Sequence, residues 1–166
     1  MTTFNIRRAQ PGDVDEIKNL ALVNNMFGPE EVGIFDEMLA GFFDGSLDGH
    51  QWIVAEEEAS LSSISAAAYF APEPFSDRMW NLYFIATDPE QQGSGLGTML
   101  IEHVESELKG VGEDVARTLI VDTSSLNDYE QARTFYERRG FVEEARLRDF
   151  NGPGDDKVTF WKSLVD

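Results

Sequence analysis

Gln92-Gly93-Ser94-Gly95-Leu96-Gly97 is the stretch on which the reading of this chain turns. It follows a strand-like run, Trp80-Asn81-Leu82-Tyr83-Phe84-Ile85-Ala86-Thr87. It precedes a helical one in which Met99, Leu100, Val104 and Leu108 share a face while Glu102, Glu105 and Glu107 lie largely opposite. Glycines at 93, 95 and 97 remove the side chains that would hold backbone N–H groups away from an anion, and the helix they open turns its positive end toward them. Such a loop suits a pyrophosphate. Two other phosphate patterns fail on spacing. A G-x-G-x-x-G fingerprint needs glycine where Thr98 stands, and a P-loop needs a Gly-Lys-Ser/Thr ending that is absent.

Upstream of the loop, residues 4–9 read as a strand and Pro11-Gly12 as a turn. Asp13 and Glu16 have capping-box spacing before the helical pattern Val14, Ile17, Leu20, Ala21. Pro29 suits the first position of a second helix, whose Val32, Phe35, Met38, Leu39 and Phe42 recur every three or four residues up to Gly45. Stretches 51–57, 61–70 and 80–87 are rich in β-branched, aromatic or small residues and read as an antiparallel meander. Between the last two strands, the prolines in 71–78 exclude a two-residue hairpin, and the longer exposed loop they imply is placed to border a substrate site.

Downstream, Gly110 and Gly112 are expected to end the loop's helix. A strand follows at 117–123, then a helix at 131–139 stopped by Gly140. Strands at 141–150 and 157–164 flank the turn-rich segment 151–156. The order is β-α-α-β-β-β-α-β-α-β-β, with no internal repeat or linker, and residues 1–166 are expected to form a single domain.

Composition narrows the chemistry. At 166 residues and 42% hydrophobic content the chain can bury one sizeable core. No apolar run approaches the roughly 18 residues a membrane span needs, and the start lacks the apolar stretch of a signal peptide, so a soluble, cytoplasmic protein is expected. The absence of cysteine excludes disulfides, thiolate metal sites and cysteine nucleophiles, and His50 and His103 stand alone, so no metal is expected. A net charge of −18 opposes binding to nucleic acid and to anionic membranes and favours cationic partners, although most of the carboxylates read as solvated surface.

With Thr87-Asp88-Pro89 ahead of it, the glycine loop resembles the Gln/Arg-x-x-Gly-x-Gly/Ala pyrophosphate loop of the GNAT superfamily of acyl-CoA-dependent N-acetyltransferases. A second segment, Ala132-Arg133-Thr134-Phe135-Tyr136-Glu137-Arg138-Arg139-Gly140-Phe141, is similar to that family's Ala-x-x-x-Tyr-x-x-x-Gly-Phe signature. Asp122-Thr123-Ser124-Ser125 and Pro153-Gly154-Asp155-Asp156-Lys157 resemble one bacterial branch of uncharacterised members. The resemblance implies an α/β (α+β) GNAT fold, with a central mixed, mostly antiparallel sheet of about seven strands flanked by about four helices. It also implies acetyl-CoA as co-substrate. The coenzyme would be held by the backbone of Ile85, Ala86 and Thr87 and by Gln92, Gly93, Ser94, Gly95, Leu96, Gly97 and Thr98. A backbone amide around 84–86 would serve the thioester oxygen, and the Tyr136 hydroxyl would donate to the departing sulfur.

Direct attack by an amine needs that amine neutral. With a pKa of ~10.4, about one part in 2,500 is neutral at pH 7, a penalty near ~4.6 kcal/mol unless the site supplies a base or lowers the pKa. In some family members a glutamate early in the fourth strand takes the proton through water. The matching residue here is Asn81, which cannot. Asp122 or Glu73 can substitute through water, or either is an ordinary carboxylate. For the leaving group, a tyrosine of pKa ~10 protonating a thiolate of conjugate pKa ~8.5 is uphill by roughly 2 kcal/mol, so a hydrogen bond can suffice. Phe135, about 100° round the helix from Tyr136, is the expected core aromatic.

Many relatives carry asparagine seven residues before that tyrosine, where this chain has Tyr129. Asn127 is the alternative ligand for the coenzyme, or else a cap. Arg133 is favoured over Arg138 and Arg139 as a phosphate partner. His103 reads as a surface residue, and Trp52 and Trp80 as strand packing. The leading function is therefore transfer of acetyl to a primary amine of a small molecule or protein, with a cationic acceptor favoured. A noncatalytic acyl-CoA-binding module of the same fold is the alternative, one that has no need of Tyr136. Edge strands make a homodimer an expectation.

Overall fold

In the computed structural model, which describes residues 2–60 and 63–166, the elements follow as β1 (Phe4–Arg8), α1 (Val14–Val23), α2 (Ile34–Asp44), β2 (Gln51–Glu57), β3 (Ile64–Pro72), β4 (Met79–Thr87), α3 (Leu96–Val111), β5 (Thr118–Ser124), α4 (Glu130–Arg138), β6 (Val142–Gly152) and β7 (Asp155–Ser163). The strands hydrogen-bond in the order β1-β2-β3-β4-β5-β7-β6. Pairing is parallel for β4 with β5 and antiparallel for β1–β2, β2–β3, β5–β7 and β6–β7, which is the mixed, mostly antiparallel sheet expected. Among the described residues, no helix is long and apolar enough to cross a membrane. The chain gathers into two compact units, Met1–Ala71 with Phe84–Val104, and Pro72–Tyr83 with Glu105–Asp166.

In the first unit, β2 and β3 are buried on both faces, so their side chains do not alternate between core and solvent. Ala66, Ala67 and Ala68 keep β3 thin. Ile17, Leu20 and Ala21 of α1 and Phe35 and Leu39 of α2 share one core with Trp52, Val54, Tyr69 and Phe84. Phe35 meets Trp52 and Phe84 edge-on, with centroids at 5.6 and 5.1 Å, while Trp52 stacks on Tyr69 at 4.6 Å.

Three local expectations are corrected here. Asp13 and Glu16 form no capping box. The Asp13 carboxylate instead accepts from the Gln10 amide at 2.7 Å, which caps the preceding 3-10 turn Pro11–Asp13, and from both Arg7 terminal nitrogens, while Glu16 is drawn to the distant Ile64 amide at 2.6 Å. Pro29 does not open α2. The Val32 amide closes a turn on the Gly28 carbonyl at 3.1 Å, and the helix starts only at Ile34. α3 runs through Gly110 to Val111 and stops where Gly112 takes φ +91°. The start of the third strand expected at Leu61 lies outside the described residues.

His50 is part-buried under Tyr69, its Nδ1 in hydrogen-bond contact with the Tyr69 hydroxyl and its ring stacked at 5.6 Å. Burial lowers the His50 pKa, against the opposing charge of Asp48, and burial lifts the Tyr69 hydroxyl to about 12. His103, expected at the surface, is half-buried, and its pKa is lowered by burial and by Arg8. A histidine whose folded pKa is depressed stabilises the fold above its unfolded value of ~6.5, and that stability is lost as pH falls through the folded value. Urea midpoints are therefore expected to drop between pH 8 and pH 5.5 (about the range in which carboxylates stay ionised), with a shallower slope in His50→Gln. An unchanged slope would mean that His50 titrates alike in both states.

In the second unit, β7 lies between β5 and β6. The β6–β7 hairpin turns at Pro153-Gly154, with Gly154 at φ +79°, so both strands extend into the segment 151–156 expected to be turn-rich. Every residue of β6 from 142 to 151 is exposed, which marks it as the sheet edge on both faces.

Candidate active site

Two left-handed glycines shape the loop. Asp88 caps a 3-10 turn over Pro89–Gln91, accepting from the Glu90 amide at 2.9 Å; Gln92 is extended, and Gly93 and Gly95 then stand at φ +85° and +87°. A Cβ at either glycine would meet nothing within 4 Å, so backbone conformation rather than crowding requires glycine. The Met99 amide donates to the Gly95 carbonyl at 3.0 Å, which places Gly95 just ahead of the first turn of α3. The amides of Leu96 and Gly97 consequently have no acceptor in their own helix. That turn carries no acidic side chain of its own to offset the positive helix end, although the net charge of the chain is −18. Leu96 is buried, Gly97 and Thr98 are half-buried, and Gln92 and Ser94 are exposed.

Sequence reading missed Asn24. Its Nδ2 donates to the Leu20 and Thr87 carbonyls at 2.8 and 3.0 Å, and its Oδ1 accepts from Gln92 Nε2 at 3.4 Å, which ties the end of β4 and the loop to α1. Its place at the C-terminal end of α1 held no motif to reveal this. Ala86 is buried, and Ile85 and Thr87 are half-buried.

In the second unit, Tyr136 is the buried residue of α4, and Phe135 beside it is only half-buried. This reverses the expected division between them. The Tyr136 ring lies 5.6 to 5.9 Å from Phe135, Phe141 and Phe160. Burial raises the Tyr136 hydroxyl well above the ordinary phenol value, so it is a neutral donor at every physiological pH. Gly140, at φ +91°, ends α4 and lets Phe141 turn back onto this ring.

Arg133 is committed to the backbone. Its Nη1 donates to the Ser124 carbonyl at 2.6 Å and the Leu126 carbonyl at 2.8 Å, stitching the segment after β5 onto α4. Asn127 is exposed and opens the short 3-10 turn Asn127–Tyr129, its carbonyl accepting from the Glu130 amide.

Asn81 is 3% exposed. It pairs in register with Ile120 of β5, which brings Asp122, two residues further on, to the same face. Asn81 Nδ2 donates to Glu73 Oε2 at 3.0 Å and to Asp122 Oδ2 at 3.4 Å. Tyr83, the next residue along that face of β4, donates its hydroxyl to the same Glu73 oxygen at 2.6 Å, and Thr159 Oγ1 donates to Asp122 Oδ1 at 2.5 Å. Glu73 and Asp122, which the sequence offers as separate candidates, are thus joined through one amide.

The chain belongs to the GNAT acetyltransferase family: the model of the acetyltransferase (GNAT) domain matches residues 48–143. A GNAT-family protein from Desulfovibrio desulfuricans is 30% identical, with a TM-score of 0.88 covering 98% of this chain and 100% of that one. A 5-NmdU N-acetyltransferase of Pseudomonas phage PaMx11 is 35% identical over 92 residues, 55% of this chain and 57% of that protein, so the chain spans about half the length of the curated relative it matches. An aminoglycoside 6'-N-acetyltransferase solved with coenzyme A shares the fold, with a TM-score of 0.75 over 98% of each chain at 15% identity.

Proposed function

We propose that the protein transfers the acetyl group of acetyl-CoA to a primary amine by direct attack, with residues 1–166 acting as one N-acetyltransferase domain. The carrying observation is the loop itself. Two left-handed glycines ahead of α3, open space around them and a first helical turn without an acidic side chain are what a diphosphate needs. The match of the family model to residues drawn from both compact units supports treating them as one domain.

In this reading the amides of residues 93–98 hold the coenzyme diphosphate, and backbone groups of Ile85, Ala86 and Thr87 take the pantetheine arm. An amide within 84–86 donates to the thioester oxygen as negative charge develops there. Tyr136 donates to the sulfur as the C–S bond breaks. Arg133 and Asn127 are the weaker members of the set: the Arg133 guanidinium already serves two carbonyls, which leaves its remaining nitrogens for phosphate. The two relatives named above for their acceptors, 5-NmdU and an aminoglycoside, differ in them. The acceptor is therefore argued from this chain's own charge of −18, which draws in cations and repels nucleic acid and anionic membranes. Pairing of two copies through the exposed edge β6 belongs to the same reading.

Thiol release from acetyl-CoA over a panel of polyamines, amino acids, aminoglycosides and peptide N-termini tests the proposal. Release with at least one acceptor supports it, whereas acetyl-CoA binding with no release from any would favour a noncatalytic binding module. Gly95→Ala forces a side chain onto φ +87°, a strain of roughly 1–2 kcal/mol, and is expected to raise the KM for acetyl-CoA about tenfold with a small loss of Tm. An unchanged KM would take the loop out of coenzyme binding.

A further inference from the structure

We propose that Glu73, Asn81 and Asp122 form the seat of the acceptor's ammonium group, and that Glu73 takes its proton. This rests on the N-acetyl transfer reading above and names the half of the reaction which that reading leaves open.

Two carboxylates converge on a single neutral amide. Among the described residues, every donor reaching them is neutral: Asn81 Nδ2 to both, the Tyr83 hydroxyl to Glu73, and the Thr159 hydroxyl to Asp122. Two negative charges joined through one NH2 group are short of positive charge. A second, independent observation points the same way. Asn81 is 3% exposed and its Oδ1 is a buried acceptor with no donor among the described residues, although its own Nδ2 is fully used. Flipping the amide would set that oxygen against two carboxylates, so the orientation is fixed by its neighbours. The set therefore offers a lone carbonyl oxygen beside two anions. A primary ammonium, with one positive charge and three N–H donors, supplies the charge and the donors that this set lacks.

The hydrogen bonds separate the two acids. Both oxygens of Asp122 accept, one from Thr159 and one from Asn81, so it is an anchor of fixed position. Among the described residues, Glu73 uses only Oε2, accepting there from Asn81 and Tyr83. Oε1 is the free oxygen, on a half-buried residue at the mouth of an exposed loop from which a proton can pass to water. The Glu73 amide donates to the Met79 carbonyl at 2.8 Å, which holds the backbone of this residue in place. The substrate R-NH3+ gives one proton to Glu73 Oε1. The freed nitrogen lone pair attacks the acetyl carbon and a C–N bond forms. The C–S bond then breaks, its electron pair leaves on sulfur, and the second proton lost from nitrogen ends on the thiolate. One proton is released overall, from Glu73 to solvent.

Glu73→Gln and Asp122→Asn keep shape and hydrogen-bonding capacity while removing one charge each. With any acceptor that wild type turns over, Glu73→Gln is expected to lower kcat about a hundredfold and Asp122→Asn to act mainly by raising the amine KM about tenfold, both with the acetyl-CoA KM unchanged. Wild-type rates in both variants would overturn the inference and leave acetyl transfer standing. A binding readout does not depend on turnover: the Asn81 side-chain amide resonance is followed while spermidine, kanamycin and a free peptide N-terminus are titrated into coenzyme A-saturated protein. A saturable shift that weakens about tenfold in each variant supports the seat. No shift with any of the three, or equal affinity in the variants, removes it. Shifts produced by magnesium or calcium alone, and abolished by a chelator, would reassign the oxygens to a cation site and also overturn it.

Discussion

Replacing Tyr136 by phenylalanine is expected to lower kcat about a hundredfold while leaving the melting temperature close to that of the wild type, measured by thiol release and by thermal unfolding. The ring sits within 6 Å of Phe135, Phe141 and Phe160, and phenylalanine keeps all three contacts. The hydroxyl alone is lost. Burial holds that hydroxyl protonated, so it is a donor whose strength does not change across the working pH range. Losing one well-placed donor to a developing charge typically lowers kcat by about 10² to 10³, or about 2.7–4 kcal/mol of transition-state stabilisation. A folded Tyr136→Phe protein with full turnover would leave Tyr136 as a packing residue only. Tyr136→Ala does not make the distinction, because it also opens a cavity beneath α4.

The largest stability effect is expected at Arg7. Its guanidinium forks onto Asp13 at 2.8 and 3.0 Å and reaches Glu56 through Nε at 3.0 Å, and both carboxylate side chains are only 11% exposed. Arg7→Met keeps the aliphatic stem but strands two buried charges, a loss of about 3–5 kcal/mol, toward the lower end because Arg7 itself is 23% exposed. Chemical denaturation at pH 7 measures it, and a loss under about 1 kcal/mol would class the network with ordinary surface pairs. A pH signature goes with it. For Asp13, burial works to raise the pKa but is outweighed by the Arg7 hydrogen bonds, the Gln10 amide and the Arg7 charge, so the folded value is depressed. The stability it contributes is present above the unfolded value of ~3.9 and is lost as pH falls through the folded one. In Arg7→Met that acid limb should flatten.

Wherever a signal is local, the sequence was legible. The alternation of strand and helix periods placed all eleven elements, and Gly45, Gly112 and Gly140 were identified as terminators, each taking the positive φ that other residues avoid. The glycine loop and Tyr136 were recognised because a motif of fixed spacing carries them. The misreadings have separate causes. Asp13 caps the 3-10 turn before α1 rather than α1 itself, Glu16 is taken by an amide distant in sequence, and Pro29 is displaced by a turn that closes first. Phe135 and Tyr136 were assigned to the wrong environments because a helical wheel gives the angle between two residues and not which of them faces the core.

By itself, then, the sequence determined the succession of elements, the glycine loop and the absence of the expected base at Asn81, because each depends on residues within a short stretch of chain. Only the tertiary structure decided what Asn81 does instead. Glu73 and Asn81 are 8 residues apart, and Asn81 and Asp122 are 41 apart. They meet because β4 and β5 pair in parallel with Asn81 opposite Ile120, a register that long-range packing sets and no local pattern encodes.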